Sequence, residues 1–379
     1  MSGEAQRESF FVPSDWLVSH RPGHLRAVRL STGESVTVDG KIADSIIAGT
    51  PAPSAWTAMA AHEPLLGELG ESIGAAGLDP LNRASLLRGA GWRQLFIELT
   101  ARCNERCLHC YAESSPDRQE SLDWDEIRAV LDDAKALGFG LVQLTGGDPL
   151  LSPHCVEAAA YARDIGIPRI EVYTNGLALR GKLYERLRDL RVSFAFSYYS
   201  HDPARHDAIT QTRGSHERTS RAIRRAIEDG LPVRTGTVLV EQNEDDTESA
   251  LGALVQLGLK HSRIRIAHSR SVGRGRLHEA PDKQPAAVDE GRPESGPLAQ
   301  PFGGTAAVSY DGVVYPCIFS RHLSLGSIRE APLRDILSAE DPVLPPSNDL
   351  FETRRAWADR LSCWQCQTRS LMLGAVPDA

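Results

Sequence analysis

Three cysteines crowd into one short run, Thr100-Ala-Arg-Cys-Asn-Glu-Arg-Cys-Leu-His-Cys-Tyr111, with the spacing C-x3-C-x2-C. Cys103, Cys107 and Cys110 could each bind one iron of a [4Fe–4S] cube and leave the fourth iron without a protein ligand. Thiolates are the usual holders of such clusters, and an open coordination position lets a metal do chemistry rather than only hold a fold. Arg102, Asn104, Glu105 and Arg106, in and around the run, are polar, so it does not read as a buried apolar segment. The spacing alone leaves open a structural zinc site or a chance grouping of free thiols, although zinc motifs usually pair one C-x2-C with a second.

The elements around the run must position it. The sequence predicts alternating strands and helices: strand 94–100, helix 121–137 capped by Ser121, strand 141–144, helix 153–165 and strand 169–174. Helix 179–190, strand 192–197, helix 215–229, strand 233–240, helix 246–257 and strand 263–267 follow. In the first helix Trp124, Ile127, Val130, Leu131 and Ala134 form a 3.6-residue stripe that ends at Gly138. Strands alternating with helices imply parallel βαβ units. In parallel α/β barrels the chemistry gathers at the carboxyl ends of the strands. The cysteine run, Leu144-Thr-Gly-Gly-Asp-Pro-Leu-Leu151, Val172-Tyr-Thr-Asn-Gly176 and Ser197 all fall at such ends.

With these motifs in this order, the chain resembles the radical S-adenosylmethionine (SAM) superfamily over roughly Arg93–Gly275. The resemblance implies a partial (β/α)6 barrel. It also implies a [4Fe–4S] cluster on Cys103, Cys107 and Cys110, with SAM chelating the open iron. Reductive cleavage of SAM would give a 5′-deoxyadenosyl radical that abstracts a hydrogen atom from the substrate. Gly146-Gly147-Asp148-Pro149 resembles the family's Gly-Gly-Glu-Pro turn, whose backbone meets the SAM amino group; Asp148 stands where Glu is usual. Tyr111, Thr174, Asn175, Ser197 and Arg270 would complete the SAM pocket by the same resemblance. Ordinary strand-end polarity is the plainer account of Thr174 and Ser197, and a helix cap that of Ser215. Arg270 and the Gly273-Arg-Gly275 stretch would meet the SAM carboxylate or a substrate anion, with a solvated basic loop as the alternative. His109 is expected to pack or solvate the loop, and Tyr198 and Tyr199 either to face the substrate or to join the core. No general acid or base can be named.

Composition fits such an enzyme. The chain has 379 residues, 41% apolar and 24% charged, which suggests two or three domains of ordinary globular character. A net charge of −8 argues against nucleic acid and anionic membrane as partners. No apolar run reaches the ~18 residues needed to cross a bilayer. Seven cysteines in metal-like spacings, with no signal-peptide core at the N-terminus, point to the reducing cytoplasm. Cys155, alone in a predicted helix, reads as a buried structural thiol.

The expected domains are 1–90, the barrel at 91–276, a Pro-rich linker or lid at 277–301, and a C-terminal unit at 302–379. In the last, a hairpin turning at Asp311-Gly312 leads to Cys317, and Cys363-Trp-Gln-Cys366 lies near the end. This layout resembles the SPASM/twitch extension of peptide-modifying radical SAM enzymes, implying one auxiliary Fe–S cluster on Cys317, Cys363 and Cys366. Phe302-Gly303-Gly304 stands where that family usually has a further cysteine. The fourth position is therefore open, or filled by a residue such as His322 or an aspartate, or else the site is degraded; zinc on the same cysteines is the alternative.

In the first unit, 25–30 and 35–38 read as a hairpin, followed by helical stretches near 42–48, 55–61 and 65–73. This resembles the winged-helix-like, PqqD-like domain that binds leader peptides by strand addition; a generic cap on the barrel is the alternative. Taken together, the expectation is a peptide maturase that crosslinks or epimerises a ribosomally made precursor, with the precursor's leader and an electron donor such as flavodoxin or ferredoxin as partners. A radical SAM enzyme acting on a small molecule, such as a tetrapyrrole or sugar, is the runner-up. A non-catalytic Fe–S or zinc protein is a third class, one with no need of the Gly-Gly-Asp-Pro and Thr-Asn-Gly strand ends.

Overall fold

Burial alternates strictly along Ser35–Asp39, with Val36 and Val38 inside and their neighbours exposed, the pattern of a strand that covers a core with one face. The computed structural model describes residues 9–11, 16–29, 34–49, 61, 63–76, 83–88, 91–270, 272–277 and 304–341. Strands β1 (Ser9–Phe11), β2 (Trp16–Arg21), β3 (His24–Arg29) and β4 (Ser35–Asp39) form an antiparallel sheet in that order. The hairpin expected from sequence is β3–β4; β1 and β2 are additions. Trp16, Val18, Leu25, Ala27, Val36 and Val38 pack against Ala43 and Ile46 of α1 (Lys41–Gly49) and Leu66, Leu69 and Ile73 of α2 (Pro64–Ala76). The helix expected near 55–61 lies outside the described residues except for Ala61, which is in a turn. A short helix, α3 (Arg83–Arg88), leads toward the second sheet.

That sheet is built from β5 (Gln94–Thr100), β6 (Leu141–Gly146), β7 (Ile170–Thr174), β8 (Ser193–Ser197), β9 (Val233–Leu239) and β10 (Ile264–His268), adjacent in chain order and all parallel. Between them run α4 (Trp124–Leu137), α5 (Cys155–Asp164), α6 (Gly181–Asp189), α7 (Pro203–Thr210), α8 (Ser215–Glu228) and α9 (Thr247–Gln256). This is the six-unit parallel barrel expected from sequence, and Cys155 is fully buried in its helical layer.

Two helix starts differ from expectation. Helix α4 is capped by Asp123, not Ser121: the Asp123 carboxylate accepts from the Glu126 N–H at 2.8 Å, and the Glu126 carboxylate accepts from the Asp123 N–H at 2.9 Å. This reciprocal box satisfies two donors that Ser121 could not reach. Ser121 instead donates to the Thr100 hydroxyl at 2.7 Å, tying the approach to α4 back onto β5. Ser215 is the first residue of α8 rather than its cap. Asp207 of α7 takes the capping role, accepting from the backbone of Gly214 and from His216 N–H at 3.0 Å.

The C-terminal region adds to the same sheet. The expected hairpin is β11 (Thr305–Val308) and β12 (Val313–Tyr315), followed by β13 (Gly326–Ser327) and α10 (Leu333–Leu337). Strand β11 lies parallel to β5, with Thr305 opposite Gln94 and Val308 opposite Ile97. Strand β12 runs back against β11, and the Thr305 hydroxyl donates to Pro316 O at 2.9 Å, which sets Cys317 beside the start of β11.

Candidate functional site

Beyond β5 the cysteine run is anchored from several sides. Cys103 N–H donates to Ser115 O at 3.0 Å, Arg106 N–H to Thr210 O at 3.1 Å and Leu108 N–H to Ile209 O at 3.0 Å. Arg274 holds the other edge: its Nε and Nη2 donate to the carbonyls of Cys107 and Ser114, each at 2.9 Å. Its backbone N–H reaches Cys110 O at 3.1 Å. Gly273, at φ 59°, makes this approach possible, because a Cβ there would lie 2.4 Å from Tyr111 O. Helix α7 was not among the elements expected to build the site; Arg274, in the stretch offered as a contact for the SAM carboxylate or a substrate anion, spends these donors on the backbone of the loop.

Cys103 is buried and Cys107 and Cys110 are partly so. Burial, followed by nearby carboxylates, pushes the Cys103 and Cys107 thiols well up. Iron would displace those protons, since coordinated thiols are deprotonated. Among the described residues no three His, Cys, Asp or Glu side chains are arranged to hold a single metal ion. A cubane asks for something different, three thiolates each on its own iron, and a run of three flexible cysteine side chains on a fixed backbone fits that demand. Glu105, read from sequence as one of the polar residues of the run, is buried within 3.5 Å of the Cys107 sulfur. Burial raises its pKa to about 8.

The Gly-Gly-Asp-Pro turn presses directly on the entry to this loop. A Cβ on Gly146 would lie 2.4 Å from Thr100 O, and one on Gly147 2.2 Å from Arg102 O. Gly147 N–H donates to Thr100 O at 2.7 Å and Asp148 N–H to Arg102 O at 2.9 Å. The Asp148 carboxylate is fully buried and turned inward. It accepts from Leu150 N–H at 3.0 Å, Asn175 N–H at 3.1 Å and the Thr174 hydroxyl at 2.7 Å. Burial raises its pKa even against these three donors. Asp148 and Thr174 thus spend their side chains on joining the ends of β6 and β7, leaving the backbone of the turn as the surface toward the loop. The Asn175 side chain reaches the loop itself, donating to Asn104 Oδ1 at 2.6 Å with Cys103 Sγ at 3.8 Å.

The remaining expected residues divide into two groups. Ser197 ends β8 opposite Gly236. Tyr198 and Tyr199 are buried. Tyr199 takes the His109 ring edge-on at 4.7 Å, and Tyr198 meets His216 Nε2 at 3.2 Å. Tyr111 and Arg270 face the C-terminal region: the Tyr111 ring lies 5.3 Å from Phe319, and the Arg270 guanidinium 4.4 Å from the same ring. Cys317 belongs to the described residues; Cys363 and Cys366 lie outside them, as does most of 277–301.

A parallel six-unit barrel with three thiols at the end of its first strand and a backbone-packed diglycine turn at the end of its second defines a known class of enzyme. The family model for the Radical SAM superfamily matches residues 97–254, and that for SPASM, an iron–sulfur cluster-binding domain, matches 302–367; together they span more than half of the chain. The chain belongs to the radical SAM superfamily and carries a C-terminal SPASM region.

Among curated relatives, the Fe-coproporphyrin III synthase of Methanosarcina barkeri is 25% identical over 71% of this chain and 79% of its own length. The antilisterial bacteriocin subtilosin biosynthesis protein AlbA of Bacillus subtilis is 26% identical over 50% of this chain, which spans only 42% of AlbA. Among solved structures, SuiB of Streptococcus suis bound to S-adenosylmethionine shares the fold with a TM-score of 0.55 at 13% identity, covering 87% of this chain and 88% of that one. SuiB bound to its precursor peptide SuiA gives 0.52, covering 88% of this chain and 89% of that one, also at 13% identity. Among the described residues no helix is long and apolar enough to cross a membrane.

Proposed function

We propose that this chain is a radical SAM peptide maturase. Cys103, Cys107 and Cys110 would hold a [4Fe–4S] cluster, and Cys317, Cys363 and Cys366 a single auxiliary cluster. When bound, the first cluster and SAM supply a 5′-deoxyadenosyl radical able to take a hydrogen atom from an unactivated carbon; the hard chemistry is the cofactor's. The protein's part is to hold and shield. Asn175 orients the Cys103 side of the loop, Gly146 and Gly147 offer backbone to the SAM amine, and Tyr111 closes the adenine side. Ser197 lies at the end of β8, while Tyr198 is buried in the barrel core and Tyr199 backs Cys107.

One observation supports a peptide substrate over a small one. The chain carries its own antiparallel sheet, separate from the barrel sheet, and among the described residues β4 pairs with β3 on one side only. An edge strand of this kind can take an extended peptide as an added strand, drawing affinity from main-chain hydrogen bonds. The relation to AlbA and the likeness to SuiB are consistent with this reading. The relation to Fe-coproporphyrin III synthase, which runs over more of the chain, favours a second reading: a tetrapyrrole carried into the same barrel.

Two measurements separate these. 5′-Deoxyadenosine formed by the reconstituted protein with SAM and a strong reductant, and lost in Cys103→Ala, Cys107→Ala and Cys110→Ala, establishes the radical chemistry. Hydrogen-exchange protection of β4 by a short peptide encoded beside this protein then supports the maturase. Turnover of an iron porphyrin with no peptide present, and no protection of β4, overturns it in favour of the tetrapyrrole reading.

A further inference from the structure

Glu98 lies on β5, two residues before Thr100, with its side chain only 2% exposed. Its partner comes from the C-terminal region: Arg321 Nη2 sits 2.5 Å from both carboxylate oxygens. The guanidinium is enclosed by aromatic faces, 5.4 Å from the ring centre of Tyr111, 5.6 Å from Tyr310 and 5.8 Å from Tyr315. These are cation–π distances, and the interaction strengthens where water is excluded. Tyr111 directly follows Cys110. Arg321 follows Cys317 by four residues, in a turn closed by Ser320 N–H to Cys317 O at 3.0 Å and Leu323 N–H to Ser320 O at 3.0 Å. One guanidinium thus packs on the residue after the last cysteine of the barrel loop and sits in the same short turn as Cys317 of the SPASM region.

Neighbouring contacts point the same way. The Tyr310 hydroxyl donates to Ala112 O at 3.4 Å and receives Arg118 Nη2 at 3.3 Å. Ala101, Ala112 and Tyr310 form a small apolar cluster with Cys110 and Tyr111 packed against it. A buried ion pair is a poor way to gain stability, because removing two charges from water offsets most of their attraction. It does, however, fix one geometry, since any displacement of Arg321 leaves the Glu98 charge buried and unpaired.

We propose that Arg321 is a positioning residue that couples the Cys317 site to SAM binding by fixing the Tyr111 ring. The inference rests on the reading that SAM binds beside Cys110. Because such coupling is reciprocal, disturbing the Cys317 site weakens SAM binding through Arg321, and SAM steadies the Cys317 turn.

The test uses the full, reconstituted chain, with SAM affinity measured by calorimetry and the reduced first cluster followed by its electron-spin resonance with and without SAM. Arg321→Gln is expected to weaken SAM binding about tenfold and to diminish the SAM-induced spectral change, with the iron of the first cluster retained. Arg321→Lys, which keeps the charge but loses the planar stack, is expected to fall between this and wild type. Cys317→Ala combined with Arg321→Gln is expected to bind SAM no worse than Arg321→Gln alone. Should Arg321→Gln fail to fold, Glu98→Gln provides the same measurement while keeping the side chain's size.

SAM affinity within about twofold of wild type in a folded Arg321 or Glu98 variant overturns the coupling. So does a double variant whose loss is the product of the two single losses. A wild-type protein with an intact first cluster that binds no SAM overturns instead the reading on which the coupling rests.

Discussion

The Asn175 side-chain amide lies 3.8 Å from the Cys103 sulfur while donating to Asn104 Oδ1 at 2.6 Å. Its own oxygen accepts from Leu177 N–H at 3.0 Å, so the amide is held at both ends and cannot swing away. Hydrogen bonds to cluster sulfurs help set reduction potentials by stabilising the more negative, reduced state. Asn175→Leu is therefore expected to lower the midpoint potential of a cluster on Cys103, Cys107 and Cys110 without changing its iron content. A spectroscopic redox titration measures this, and an unchanged potential would show that the amide only shapes the loop.

Gly147 leaves no room for a side chain: a Cβ would lie 2.2 Å from Arg102 O and 2.8 Å from Ala101 O, both backbone atoms. Gly147→Ala must push the diglycine turn away from the cysteine loop. The expected outcome is lost SAM binding and a stability loss of about 1–3 kcal/mol, the range for overpacking a close contact. Gly252, inside α9, is the control, because a Cβ there would meet nothing within 4 Å. At that position Ala is expected to gain up to about 1 kcal/mol from helix propensity. Thermal melts and calorimetry with SAM distinguish the two.

The barrel was legible in the sequence because each strand is a short apolar run ending in a chemically distinctive turn; β5 begins at Gln94 and ends at Thr100 as its pattern indicates. Local signals also gave α4, but not its cap, since Ser121 and Asp123 both suit that role and only the reach of Glu126 decides between them. Helix α7 was missed. Its eight residues, Pro203–Thr210, carry no clear apolar stripe, and their role as the floor for Arg106 and Leu108 comes from tertiary contact. The pairing of β11 with β5, and the Glu98–Arg321 contact that accompanies it, join segments far apart in the chain. No periodicity records such a pairing. Among the expected SAM residues, Asp148 and Thr174 were found by motif, yet their side chains bind each other, which only coordinates could show.

Asp148 is the acceptor on which the ends of β6 and β7 depend. Asp148→Ala leaves the Leu150 and Asn175 N–H groups and the Thr174 hydroxyl without their acceptor inside the fold. At roughly 1–3 kcal/mol for each buried group left unsatisfied, the expected loss is about 3 kcal/mol or more. Thr174→Val keeps the shape but removes one donor to Asp148 and the acceptor of the Gly176 N–H, so about 2 kcal/mol is expected. Denaturant unfolding measures both, and equal losses would mean that the carboxylate is not shared among three donors.

His206 makes the stability of this end of the barrel depend on pH. Its ring is buried, 5.5 Å from that of His216, with Nδ1 2.9 Å from the Ser215 hydroxyl. Burial, and after it the nearby His216, lowers its pKa from 6.5 to about 3. The folded protein thus keeps His206 neutral where the unfolded chain would take up a proton. Its contribution to stability is complete above pH 6.5 and is lost as pH falls toward the folded value, at ~1.4 kcal/mol per pH unit. Between pH 6.5 and pH 5 this amounts to roughly 2 kcal/mol. Glu105 and Asp148, whose folded values are raised by burial, act in the opposite direction, so the total pH profile mixes the two effects. The comparison that isolates His206 is with His206→Asn, which keeps a donor toward Ser215 and cannot titrate. The stability difference between wild type and this variant is expected to shrink steadily as pH is lowered from 7 to 5. A difference that stays constant over that range would mean that His206 accepts a proton in the folded protein as readily as in the unfolded chain.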